Sequence, residues 1–224
     1  MRRNLVIAVL GALLTLSGCS SSTGSSDVAP DTTSVLEVTT STSTTTTVAP
    51  SSDVLVSFPD AASVARWANV DDSVMGGVSA SRSTWTTDGG VGALAFTGVL
   101  STERNGGFSS TLGPIDRTMG ARAAGARALK VEASGDGRTY LLQLRAGADS
   151  AQRWIARFTP PTSLGVPAPS TIAIDAFEPV SQFLRPITPA GPLDPSTITQ
   201  VGIYVLDGQV GEFRLVLTAV TAVK

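Results

Sequence analysis

Two neighbouring aspartates, Asp71 and Asp72, belong to the stretch that looks most like a chemical site, "NVDDSVMGGVSASR" at residues 69–82. Adjacent carboxylates supply the hard oxygen ligands that calcium prefers, so a calcium site is one interpretation. The glycine pair Gly76 and Gly77 suggests a phosphate-binding loop, but such a loop leads from a strand into a helix, and this stretch leads into a strand-like run. Two adjacent acids are a weak metal signal, so the sequence favours a turn.

In the turn interpretation, Asp72 accepts hydrogen bonds from backbone amides. Gly76 and Gly77 then permit a positive φ or a close approach of the backbone, and Met75 fills the core. The interpretation predicts that these residues stabilise the fold and do not hold a ligand.

Two further glycine-containing stretches are also predicted to be turns. In "NGGF", Asn105 and Gly106 shape the turn and Phe108 returns to the core. In "SGDGR", Asp136 and Gly137 form a hairpin turn.

Several kinds of catalytic site are excluded by composition. The sequence contains no histidine, which removes imidazole bases, Ser-His-Asp and Cys-His nucleophile systems and histidine metal sites. Acidic residues are scattered, and no spacing marks two of them as the paired carboxylates of a glycosidase. We therefore predict a protein that is not an enzyme and carries no cofactor.

The N-terminal residues predict an export signal. Arg2 and Arg3 precede the apolar run "LVIAVLGALLTL", which is too short for a stable transmembrane span. The run ends in "LSGC", which resembles the lipobox of bacterial lipoproteins, with Leu16 at the third position before Cys19. The resemblance implies a signal peptide at residues 1–18, acylation of Cys19, and a protein anchored by lipid on the extracytoplasmic face of the cell membrane.

Composition divides the rest of the chain into a tether and a domain. Residues 19–52 are mostly Ser and Thr with few large apolar side chains, which predicts a disordered tether. Residues 53–224 are long enough for one domain with its own core. Of the 16 basic residues, Arg2 and Arg3 lie in the signal, so 14 remain against 18 acidic residues, and a nucleic-acid partner is not expected.

Short alternating runs, separated by Gly, Pro, Asp and Asn, recur throughout the domain and predict about ten strands. The fold class is therefore all-β, a jelly-roll or β-sandwich. One helical turn is predicted at "LDPSTI", with Asp194 as the N-cap and Pro195 as the first helical residue. The glycines of "RTMGARAAGARA" favour a crossover loop there.

A family resemblance covers nearly the whole domain. In order and spacing, "WANVDDSVMGGVSAS", "LAFTGVLSTERNGGFSS", "ALKVEASGDGRTYLLQLRA" and "PLDPSTITQVGIYVLDGQVGEFRLVLTAV" resemble the complex I intermediate-associated protein 30 (CIA30) family. The resemblance implies a galactose-binding-like jelly roll, and eukaryotic members assist the assembly of respiratory complex I. The matching residues are Asp72, Met75, Gly76, Gly77, Ser79, Asn105, Gly106, Gly107, Phe108, Gly135, Asp136, Gly137, Arg138 and Tyr140.

Strand alternation predicts a polar binding face. Successive residues of a strand point to opposite faces, so inward Tyr140, Leu142 and Leu144 send Gln143 and Arg145 outward. The same reasoning on the other strands completes a candidate binding face consisting of Gln143, Arg145, Arg157, Tyr204 and Arg214.

Two functions remain open for such a domain. The first is a non-catalytic module that binds a protein and assists complex assembly at the membrane. The alternative is a carbohydrate-binding module for cell-wall or environmental glycan, whose sugar platforms would be drawn from Trp67, Trp85 and Trp154. Trp154 alternates with Ala156 and Phe158 and is predicted to lie in the core.

Overall fold

The computed structural model describes residues 53–147, 152–162, 168–188 and 191–224. The predicted signal peptide, Cys19 and the predicted tether lie outside these ranges. Within them, no helix combines the length and hydropathy needed to cross a membrane.

Strands make up most of the described chain. They are β1 (Val54–Ser57), β2 (Ala68–Asp71), β3 (Ala80–Asp88), β4 (Val91–Leu100), β5 (Ser109–Leu112), β6 (Ala128–Gly135), β7 (Tyr140–Arg145), β8 (Arg153–Phe158), β9 (Ala168–Ala173), β10 (Glu178–Val180), β11 (Gln200–Val205) and β12 (Gly211–Val223). The helices are α1 (Ala61–Ala65), α2 (Met119–Ala123) and the 3₁₀ helices Asp72–Met75, Glu103–Asn105, Ile174–Ala176 and Pro195–Thr197.

The strands form two antiparallel sheets. The first sheet has the order β3-β4-β12-β6-β9, and β1 pairs with the last residues of β12. The second sheet has the order β10-β8-β7-β11-β5-β2. The sheets pack face to face as a jelly-roll β-sandwich, which confirms the predicted all-β fold class.

The core lies between the sheets and is built from alternate residues of the strands. Members from the first sheet include Leu94, Phe96, Leu129, Val131, Phe213, Leu215 and Leu217; members from the second sheet include Tyr140, Leu142, Leu144, Trp154, Ala156, Phe158, Val201, Ile203 and Val205. The predicted inward positions of β7, β8 and β12 are confirmed, including the core position of Trp154.

The predicted crossover loop around residue 120 contains helix α2, so that prediction was wrong. Met119 and Ala123 are one turn apart and both are buried. Gly120 lets the helix approach the backbone of Ser196, because a side-chain carbon there would clash with the Ser196 carbonyl. Gly125, with a φ of 76°, follows the helix, and together with Gly120 it had favoured a loop.

The predicted turn at "LDPSTI" is confirmed as the 3₁₀ helix Pro195–Thr197. The Ser196 amide donates to the Asp194 carboxylate at 2.9 Å, and Pro195 opens the helix. Asp60 caps α1 in the same way, accepting from the Ser63 amide at 2.8 Å.

Candidate functional site

The carboxylate of Asp72 joins two loops. Asp72 is fully buried at the start of its 3₁₀ helix, and its Oδ1 accepts a hydrogen bond from the Ser79 amide at 2.9 Å. Its Oδ2 accepts from the Ser79 hydroxyl at 2.5 Å and from the Gly107 amide at 2.6 Å. We call Asp72, Ser79 and Gly107 the aspartate clamp, because they tie the loop after β2 to the loop before β5.

The carboxylates of Asp71 and Asp72 both accept hydrogen bonds from other groups of the protein. Burial acts to raise the pKa of Asp72, but hydrogen bonds from the Ser79 hydroxyl and from the amides of Gly107, Ser79 and Phe108 outweigh it and hold the pKa below 3.8. Asp71 accepts from the amide and hydroxyl of Ser81, at 2.9 and 2.5 Å. Within the described ranges, no group of three or more His, Cys, Asp or Glu is placed to hold a metal ion.

Two glycines leave room for the Asp72 side chain. A side-chain carbon at Gly77 would clash with Asp72 Oδ1, and one at Gly106 would lie 2.5 Å from Oδ2. Gly76 has a φ of 92°, a conformation that side chains disfavour. The family motifs around Asp72 and "NGGF" are therefore two halves of one structural clamp.

Two residues of these motifs do not enter the core, contrary to prediction. Met75 is 62% exposed, because the 3₁₀ helix turns its side chain to solvent beside exposed Val74. Phe108 is half-buried and lies 6.4 Å from the ring of Tyr204, between ring centroids, on the outer surface of the second sheet.

The "SGDGR" stretch connects β6 of the first sheet to β7 of the second, so the predicted hairpin turn was wrong. Asp136 Oδ1 accepts from the Arg138 amide and the Tyr140 hydroxyl, both at 3.0 Å, and Oδ2 accepts from the Arg214 amide at 2.8 Å. Burial, reinforced by Asp136, raises the pKa of the Tyr140 hydroxyl. Gly137 has a φ of 81°, and the stretch forms a fixed corner of the sandwich.

The structure brings four of the five candidate-face residues together. Gln143 and Arg145 on β7, Arg157 on β8 and Tyr204 on β11 point away from the core on the second sheet. We call this surface the outer face. Arg214 lies on β12 of the first sheet, so its assignment to the same face was wrong.

Two donors on the outer face have no partner in the described part of the chain. Gln143 is only 4% exposed, yet its Nε2 donates no hydrogen bond, and Nε of half-buried Arg145 is also unpaired. Arg157 differs, because its Nε lies 2.9 Å from Asp207 Oδ2, and this ion pair raises the pKa of Arg157. The outer face therefore has one internally neutralised arginine and two unused donors.

Sequence reasoning missed two features of the outer face. Arg153 lies directly across from Arg145 in the β7–β8 register and places a second cation there. Leu141, Ile155 and Val180 form a buried apolar cluster on the same side, with Leu184, Tyr204 and Leu206 packed against it. The available signal was an apolar residue at an outward position of each strand, Leu141 in "YLLQL" and Ile155 in "WIARF", because strands covered on both sides lose strict alternation.

The other two tryptophans have different surroundings. Trp85 is partly exposed and donates through Nε1 to the Phe58 carbonyl at 3.0 Å. Trp67 is half-buried and packs on the Phe58 ring, with 5.4 Å between centroids. Neither lies on the outer face.

Solved structures with a similar fold include two of family 11 carbohydrate-binding modules. One, from the cellulosomal cellulase Lic26A-Cel5E of Clostridium thermocellum, has a TM-score of 0.52 and 12% identity and covers 71% of this chain and 88% of its own. The other, also from Clostridium thermocellum, in complex with a β-1,3-1,4-mixed-linked tetrasaccharide, has a TM-score of 0.53 and 14% identity, with coverages of 76% and 95%. These likenesses establish the jelly-roll fold.

No curated protein matches the sequence. The sequence model of complex I intermediate-associated protein 30 (CIA30) matches residues 56–217, which span both sheets, the aspartate clamp and the Asp136 corner. The chain therefore belongs to the CIA30 family.

Proposed function

We propose that this chain is a lipid-anchored, extracytoplasmic binding module without catalytic activity, which binds a protein partner and assists complex assembly at the membrane. The lipobox-like "LSGC" and the preceding apolar run support the anchoring. The family name and the histidine-free composition support a binding role over catalysis.

The unpaired donors of the outer face carry the proposal. A buried donor without a partner costs about 1 to 3 kcal/mol, so acceptors from a bound molecule would recover energy at Gln143 and Arg145. Arg145, whose Nε has no partner in the described part of the chain, suits an acidic side chain of a partner. Acidic groups of a protein would thus be attracted to this part of the sheet.

An apolar anchor near these donors favours a protein over a small ligand. Phe183 is 71% exposed and precedes Leu184, which packs on the apolar cluster of the outer face. Exposed aromatic residues beside a cationic region are typical of the centres of protein interfaces.

The test is chemical crosslinking in the native membrane, followed by capture of the chain. We expect a specific protein to be crosslinked to the wild type and at least about fivefold less to Arg145→Ala, because hydrogen bonds to charged groups contribute 1.5 to 3 kcal/mol. Arg214→Ala removes an exposed arginine from the other sheet and should leave the yield unchanged. Equal capture by both variants and the wild type would refute the assignment to the outer face.

A carbohydrate-binding module is the second candidate. The half-exposed ring pair Phe108 and Tyr204 on the outer face is the observation that favours it, since aromatic rings stack on sugars. A glycan array probed with the full chain separates the two candidates. Specific glycan binding that falls in Tyr204→Ala, without a crosslinked protein, would replace the first candidate by the second.

A further inference from the structure

A cavity of about 590 Å³ lies away from the outer face. Its walls are β1, the residues after α1 and the segment 113–117 that follows β5, and Arg122 of α2 also lines it. Its volume falls within the range of small-molecule sites. No residue of the candidate binding face contributes to it.

The lining carries an excess of positive charge. Arg66, Arg117 and Arg122 line the cavity with a single acid, Asp116, although the whole chain has a net charge of −2. Arg122 Nη2 lies 2.7 Å from Asp116 Oδ2, and this contact holds the pKa of Asp116 at about 2. One of the three cations is therefore neutralised by a partner that is ionised at neutral pH.

The other two arginines, Arg66 and Arg117, are available to bind a ligand. Arg66 and Arg117 are exposed, and within the described ranges their side chains have neither an ion pair nor a hydrogen bond. Arg122 is also fixed in place, because its Nε donates to the Val54 carbonyl at 2.9 Å. The cavity thus presents two unpaired guanidinium groups beside a rigid third, an arrangement that suits a carboxylate.

An indole forms another part of the wall. Trp67 is held on one side by Phe58 and at its edge by Gly113, where a side-chain carbon would lie 3.1 Å from Trp67 Cζ2. A fixed indole offers an apolar surface of the size of a sugar ring, with little conformational entropy to lose on binding.

We propose that this cavity binds an acidic sugar of the hexuronate class. The carboxylate would contact Arg66 and Arg117, and the C–H face of the pyranose would pack on Trp67. Asp116 is ionised and stands beside them as an acceptor for sugar hydroxyls. The proposal is independent of the outer face and of its partner.

Calorimetry on the full chain in detergent tests the charge requirement. We expect methyl β-D-glucuronide to bind, and methyl β-D-glucoside, which lacks the carboxylate, to bind at least about tenfold more weakly. Benzoate supplies a carboxylate on an aromatic ring. If benzoate bound as well as the glucuronide, the sugar class would be overturned, and absence of glucuronide binding would overturn the whole proposal.

Two variants locate the site. Arg117→Gln should weaken glucuronide binding about tenfold, whereas Arg214→Gln, an exposed arginine on the first sheet, should bind as the wild type does. Neither side chain makes a hydrogen bond in the described part of the chain, so both variants should keep the wild-type melting temperature. Equal binding by the two variants would place the ligand elsewhere.

Saturation-transfer NMR adds a readout of the indole contact. Ring protons on one face of the pyranose should receive the strongest transfer, and Trp67→Leu should abolish that preference. Uniform transfer over the sugar would contradict stacking on Trp67.

An oligogalacturonate that binds more tightly than the monosaccharide would identify a polymer as the source, and equal affinities would identify a single sugar.

Discussion

Asp72 holds together two loops whose contacting residues lie 35 positions apart in sequence. Its charge is stabilised by donors from both loops, and Gly77 and Gly106 leave the space that the carboxylate fills. Asp72 belongs to the stretch that most resembled a chemical site in the sequence. In the structure it contributes to stability as a buried, hydrogen-bonded anion.

The first prediction concerns this charge. Asp72→Asn keeps the shape but turns one acceptor into a donor that faces the donors of Ser79 or Gly107. We expect the free energy of unfolding to fall by about 2 to 4 kcal/mol in urea titrations at pH 7. The same change at exposed Asp175 should alter it by less than about 0.5 kcal/mol.

The pH dependence of the free energy of unfolding tests whether the charge of Asp72 is the cause of this stabilisation. The pKa of Asp72 is lower in the folded protein than its ordinary value of 3.8, so the unfolded chain binds a proton more readily. The stabilisation is full above that value and is lost as the pH falls below it. The difference between wild type and Asp72→Asn should therefore shrink from pH 7 to pH 3. A melting temperature lowered by EDTA in the wild type alone would instead indicate a metal.

The second prediction concerns the space beside the carboxylate. Gly77→Ala should lower the free energy of unfolding by about 1 to 3 kcal/mol, because its methyl group overlaps Asp72. In the Asp72→Ala background the same change should have much less effect, which a double-mutant cycle measures. Gly191→Ala is the control, since that glycine has no neighbour within 4 Å. Additive effects would show that Gly77 acts through something other than Asp72.

At the scale of elements, β7 and β8 are buried on both sides. Their inner residues face the core, while Leu141 and Ile155 meet Val180 and the partly buried Leu184 on the outer face. Packing on both sides suits a surface whose donors must be held in place for a ligand.

The third prediction follows from this double burial. Leu141→Ala should lower the free energy of unfolding by about 2 to 4 kcal/mol, as at a core position, although Leu141 points away from the main core. Val99→Ala, at a half-exposed strand position, should change it by less than about 0.5 kcal/mol. Chemical denaturation of both variants tests this. A small effect at Leu141 would mean that the cluster with Val180 and Leu184 is only loosely packed.

Alternation made the inner faces predictable, because a two-residue period fixes which side chains share a side of one strand. The alternation carries no information about which sheet a strand joins. For that reason Arg214 was assigned to the wrong face, and the stretch around Asp136, which connects the two sheets, was predicted to be a hairpin turn. The exposure of Met75 was equally hidden, since it depends on the local 3₁₀ turn. The cover over Leu141 comes from the distant segment around Leu184, and no local pattern reports such a contact.

At the scale of the whole molecule, composition predicts that residues 19–52 form a tether, which would separate anchoring from folding. If the tether is a flexible coil, its roughly 33 residues would span on the order of 30 Å, enough for the domain to stand clear of the lipid headgroups. The proposed anchor and the proposed binding surfaces then depend on separate parts of the chain.

The fourth prediction tests that separation. Cys19→Ala should abolish acylation, so the protein should leave the membrane fraction while the domain keeps its melting temperature. Mass spectrometry and detergent partitioning provide the measurements. A variant that still carried acyl chains would contradict the lipobox interpretation.

The pairing of β1 with β12 has a mechanical consequence. The chain enters the sandwich at Asp53, whose carbonyl accepts from the Ala222 amide at 2.9 Å and whose carboxylate lies 2.5 Å from Lys224 Nζ. Tension arriving through the preceding residues would act first on this end of β1, where Asp53 makes its contacts with Ala222 and Lys224. Since β1 also forms a wall of the arginine-lined cavity, release of β1 from β12 would open that cavity.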